Sequence, residues 1–181
     1  MKLHNSNPPS AIPLDPHLAR QILLTLGELA LPAPGTLLGM DSLLEVHRIS
    51  EEDLVEVLTA MERNGWLIRR GERHWELSLN GARRVEQALP PAEQRRARAL
   101  RSQVLEALCR SDTAAQDLPV DYRATCAFLD AHGGEIRAAI RWLVAEGYLN
   151  WHYIQGYVSC TSAGKAAYQR TIPLELPSGR R

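Results

Sequence analysis

Arg137 and Arg141 stand four residues apart in a stretch with helical apolar spacing, so their guanidinium groups share one helix face. Gly134 and Ala138 flank them and leave that face open to close approach. Arginine presents a planar fork of donors that fits phosphate oxygens or the O6 and N7 edge of guanine. A second basic group, Arg69, Arg70, Arg73 and His74, surrounds a short turn. A third runs from residue 83 to 101, where Arg83, Arg84, Arg95, Arg96, Arg98 and Arg101 face Glu86 and Glu93. Each group also has a plainer reading. Arg137 and Arg141 suit a solvated helix face paired with Glu135 or Asp130. The turn suits an ordinary charged hairpin tip, and the long stretch suits intrahelical pairs with Glu93.

Other chemistry lacks a pattern. The six histidines form neither HExxH nor HxH, and no glycine-rich phosphate loop or GxSxG step occurs. The expectation is therefore no enzyme, no cofactor and no metal. Cys109, Cys126 and Cys160 are odd in number, widely spaced and set among apolar residues. They read as small core residues and not as a disulfide framework or a zinc site. With 45% hydrophobic and 23% charged residues the chain has a globular composition. No apolar run approaches the ~20 residues of a membrane span, and residues 1–9 lack the apolar core of a secretory signal. A soluble, cytoplasmic protein with no membrane partner is expected. The 21 basic and 21 acidic residues cancel, which excludes a strongly basic coat protein. The balance is uneven, however: 9 Lys and Arg against 12 Asp and Glu through Leu89, then 12 against 9 from Pro90 on.

The elements that position these residues occur twice. Under a shift of 82 residues, Leu18 falls on Leu100, Leu54 on Ile136, Leu58 on Ile140, and Gly65-Trp66-Leu67 on Gly147-Tyr148-Leu149. The register slips by one residue only where Gly81 matches Gly164. Two units follow, 15–89 and 92–170, separated by Pro90-Pro91, with extended tails at 1–14 and 171–181. In the first unit, spacing and caps predict helices over 15–30, 41–48 and 51–64. Two strands follow between Trp66 and Ser78, turning at Gly71-Glu72, and a last helix spans 82–89. In the second unit the corresponding helices are 93–110, 123–131 and 135–146. A hairpin lies within 148–159, and a closing helix runs to Gln169. The fold class expected is mainly α with small β-hairpins, an α+β chain. Leu58 and Ile140 should be the equivalent buried centres.

This order resembles the winged helix-turn-helix superfamily, present in tandem. The residues that carry the resemblance are Asn64-Gly65-Trp66-Leu67 and Glu146-Gly147-Tyr148-Leu149 at the ends of the third helices. Ser78-Leu79-Asn80-Gly81 and Thr161-Ser162-Ala163-Gly164 after the hairpins add to it. In that family the third helix enters the major groove of duplex DNA and the hairpin "wing" touches phosphates. The resemblance therefore implies a bacterial or phage transcription regulator with Arg137 and Arg141 facing a groove. Arg69, Arg70, Arg73 and His74 would be a basic wing, and Arg95 and Arg98 would lie on a phosphate-tracking connector. The third helix of the first unit carries Glu51, Glu52, Asp53 and Glu56, which phosphates repel. The family also includes tandem protein-binding scaffolds such as the kleisin-binding subunits of bacterial condensins. Neutral overall charge and the aromatic second hairpin suit that alternative. There Trp151 is expected to pack on the third helix along with Tyr153, and His152 to be exposed. Trp142, His152 and Tyr157 are the candidate surface for a homodimer or a protein partner. Trp66 and Trp75 read as hairpin core.

Overall fold

The computed structural model describes residues 33–114, 118–152 and 156–171. The expected first helix at 15–30, both tails and Tyr153 lie outside these residues. Among the described residues the chain forms two compact units. The first covers Gly35–Ala88, and the second runs from Leu89 onward together with Ala33 and Pro34.

In the first unit the order is β1 (Leu37–Gly39), α1 (Met40–His47), α2 (Glu51–Arg63), β2 (Leu67–Arg69), β3 (His74–Leu77) and α3 (Leu79–Ala88). Ser50 starts α2 because its hydroxyl accepts the Asp53 N–H at 3.1 Å, while acidic residues fill the first turn. Gly65 ends it with φ +69, a left-handed conformation that L side chains rarely adopt. There the Gly65 N–H bonds Glu62 O and the Trp66 N–H bonds Met61 O, at 2.8 and 2.9 Å. The apolar stripe of α2 then lies on a three-stranded antiparallel sheet of order β1-β3-β2. Leu54, Leu58, Met61, Trp75, Leu77 and Val85 form the centre of its core.

The second unit contains α4 (Pro91–Ala114), β4 (Val120–Asp121), α5 (Tyr122–Thr125), α6 (Gly133–Ala145), β5 (Leu149–Trp151), β6 (Tyr157–Cys160) and α7 (Ser162–Thr171). Its sheet order, β4-β6-β5, matches that of the first unit. The Gly147 N–H bonds Val144 O and the Tyr148 N–H bonds Leu143 O, at 3.0 and 2.8 Å, so α6 closes as α2 does. The repeat extends to the residues after each hairpin. Ser78 Oγ donates to Gly65 O at 2.6 Å, and Thr161 Oγ1 donates to Gly147 O at 2.7 Å. The one-residue slip lies in the hairpin turns, Arg70–Arg73 in the first unit and His152–Gly156 in the second.

Glycine at 81 and 164 follows from packing. A Cβ there would stand 2.1 Å from Trp66 O and 2.2 Å from Tyr148 O, both backbone atoms that cannot swing aside. Gly164→Ala should cost about 1–3 kcal/mol, as forced overpacking does. A urea melt showing parental stability would contradict this close approach.

Several boundaries differ from expectation. The short edge strands β1 and β4 were not foreseen, because two or three residues carry no readable alternation. Pro91 is the first residue of α4 and not part of a linker, consistent with proline's fitness for a first helical turn. The helix expected over 123–131 stops at Thr125, where Cys126 turns into the core and the chain continues through tight turns to Ala131. The cysteine reading is corrected as well. Cys109 on α4 and Cys160 on β6 are joined as a disulfide across 51 residues of sequence. Helix packing on the sheet brings them together, which no local spacing rule records. Cys126 alone is free, and burial pushes its thiol up to about 11, which makes it inert.

Candidate functional site

Tyr122, Arg123, Arg137, Arg141, Trp151 and Gly156 line one open cleft of about 330 Å³ in the second unit. Three local causes assemble it. Asp121 caps the single turn of α5 by accepting the Arg123 N–H at 2.8 Å, and this turn carries Tyr122 and Arg123. Its guanidinium lies 5.8 Å from the centre of the Tyr122 ring. The four-residue spacing on α6 brings Arg137 and Arg141 to the same side, both exposed. The β5–β6 hairpin supplies Trp151, whose ring lies 5.8 Å from that of Tyr122 at a tilt of 58°. Gly156, at φ +98, closes the hairpin without a side chain.

Of the two carboxylates expected beside Arg137 and Arg141, Glu135 makes other contacts. Glu135 accepts the His132 N–H at 2.8 Å and pairs with Arg96 of α4 at 2.9 Å. The lining of the cleft includes three arginines and two aromatic residues, with the Asp121 carboxylate beside Gly156. Arginine forks bind oxyanions, and aromatic faces take flat rings or cations.

The hairpin of the first unit is different. Arg73 is forked between two acids, with Nη2 2.7 Å from Asp41 Oδ1 and Nη1 2.7 Å from Glu51 Oε1. Arg70 Nε lies 2.6 Å from Glu76 Oε2. These hydrogen bonds raise both guanidinium pKa values further. Arg69 donates to Gly71 O at 3.1 Å and stacks 5.6 Å from the Trp75 ring. His74 is exposed. The expected basic wing is thus largely neutralised by its own unit.

No protein-family model matches this chain. Comparison with curated proteins and with solved structures finds no match either.

On α4, Arg95 is exposed. Arg98 lines a separate hollow of about 270 Å³ with Arg101, Glu106, Glu146 and two tyrosines, and Glu106 pairs with Arg110 at 2.7 Å. Trp142, expected at an interface, is 4% exposed and lies 4.4 Å from the Arg101 guanidinium. It is a packed side chain of the second unit. His152 is half-buried, with its ring 2.9 Å from Ser159 Oγ, and not exposed. Tyr157 is exposed as expected. Leu149 points into the core, while Trp151 leans on Tyr122 and remains 38% exposed. The Trp66 ring lies 5.5 Å from the Arg84 guanidinium, and Trp75 is fully buried.

Tyr122, Arg123, Trp151 and Gly156 line the cleft without having been expected there from the sequence. The signal was present in the repeat: the 82-residue shift sets Arg123 against Asp41, a reversal of charge at equivalent positions. Among the described residues, no helix is long and apolar enough to cross a membrane.

Proposed function

We propose that this is a non-enzymatic, tandem winged-helix DNA-binding protein of the transcription-regulator type, working in the cytoplasm. Its main contact with duplex DNA is α6 and the arginines beside it. The observation that supports this reading is the convergence of Arg123, Arg137 and Arg141 on one exposed surface of the second unit. Phosphates attract such a surface, and α6 carries no carboxylate between Arg137 and Arg141. The first unit contributes less, because Arg70 and Arg73 are already paired and α2 exposes Glu52 and Glu56.

Anisotropy with a labelled duplex at increasing salt tests this. Neutralising three phosphates gives a log–log slope of about −3. The double variant Arg137→Ala/Arg141→Ala should weaken binding by about tenfold or more and relax sequence preference. A parent that binds no duplex at low salt would refute the proposal.

One observation favours the protein-binding scaffold as a second reading. Phe128, 75% exposed, joins Trp151 and Tyr157 as large apolar side chains on the surface of the second unit. A protein partner or a second copy of the chain would bury them. Sedimentation at tens of micromolar separates these outcomes: a monomer removes the homodimer.

A further inference from the structure

We infer that the turn between α5 and α6 is a self-recognition surface: Phe128 of one chain enters the hollow beside Ala131 and Gly133 of a second copy, and the second copy does the same in return. This narrows the protein-binding reading to one partner and does not depend on DNA binding.

The knob and the hole lie side by side. Phe128 is 75% exposed, more than any other large apolar side chain among the described residues. Cys126, Ala127, Ala131 and Gly133 line a hollow of about 220 Å³ next to it, together with Tyr122, Arg123 and Ile136. An apolar cavity of about 150 Å³ already takes a benzene ring, so a phenylalanine ring fits. Arg137 and Arg141, assigned above to duplex DNA, line the other cleft and not this one.

The first unit provides an internal control. Helices α1 and α5 start at Met40 and Tyr122, and α2 and α6 start at Glu51 and Gly133, so the segments between them are equal in length. In the first unit the positions of Cys126, Ala127, Ala131 and Gly133 carry Leu44, Glu45, Ile49 and Glu51. All four side chains are smaller in the second unit. The position of Phe128 carries Val46, so there the side chain is larger in the second unit. The hole is emptied and the knob enlarged within one turn. A turn that only faces water gains nothing from an added aromatic ring.

Self-complementarity selects a second copy as the occupant. A two-fold contact sets one patch against itself, so a knob and a hole in the same turn are both used twice. The rim is complementary as well. Asp130 and His132 of this turn are exposed, and a two-fold contact pairs acid with imidazole in both directions. One turn from each chain makes a small interface, which places the association in the micromolar range.

Sedimentation velocity of the full chain, from sub-micromolar to tens of micromolar, tests this. The parent should shift from monomer to dimer and form nothing larger, because a two-fold contact is closed. Phe128→Ser removes the knob, and Ala131→Leu fills the hole while keeping Phe128. Each should weaken association by about tenfold or more. Mixing the two variants should recover part of the loss, since the knob of one meets the hole of the other. Circular dichroism checks that both keep the parental fold, and Ala127→Leu, at an exposed position of the lining, replaces Ala131→Leu if that variant does not fold. A parent that stays monomeric overturns this inference and leaves the proposed DNA binding standing. Association unchanged in Phe128→Ser also overturns it, as does association unchanged or strengthened by filling the hole, since the contact would then lie elsewhere.

Discussion

Replacing Ile140 by alanine is expected to destabilise the second unit by about 2–5 kcal/mol, and Leu58→Ala should do the same to the first. Both side chains are 0% exposed. Ile140 is on the inner face of α6, in a core with Val104, Leu108, Leu149 and Val158. Deleting most of its side chain forfeits the transfer energy of the lost carbons and leaves a cavity that the disulfide-tied surroundings can only partly fill. Such a loss is a large fraction of the stability of a small domain. Urea unfolding followed by circular dichroism measures it. Parental midpoints for both alanine variants would mean that α2 and α6 do not present these residues to a core.

Reduction of the Cys109–Cys160 disulfide is expected to remove about 4 kcal/mol, the chain-entropy value for a loop of this length. The bond closes 51 residues, so it withdraws much freedom from the unfolded second unit. It joins α4 to β6, and the same helix is tied to α7 through the ion pair of Asp112 and Lys165 at 3.1 Å. A denaturant series with and without a phosphine reductant should show the midpoint fall on reduction. The variant Cys109→Ala/Cys160→Ala should be insensitive to reductant. If the parent unfolds identically with and without reductant, the bond contributes nothing.

What the residues alone determined is local or periodic. Helix α2 was legible because Ser50, the Leu54–Val57–Leu58–Met61 stripe and Gly65 supply a start, a buried face and a stop within sixteen residues. The duplication was legible because the same stripe and stop recur 82 residues later, and the hairpins because the apolar period changes after each glycine. Arg137 and Arg141 were found as a pair for the same reason, since helical spacing places residues four apart on one face. What only the tertiary structure decided is which of the charged and reactive groups are already engaged. Arg73 and its acids are 22 and 32 residues apart, Arg96 and Glu135 are 39 apart, and the bonded cysteines 51 apart. A guanidinium at a hairpin tip has the same sequence signature whether it faces water or two carboxylates. Its partner is set by how helices pack on a sheet, and pairing falls off within a few ångströms. Arg70 and Arg73 at the first hairpin therefore looked available in the sequence and are engaged in ion pairs. The cleft of the second was invisible until α5, α6 and the hairpin were folded around it.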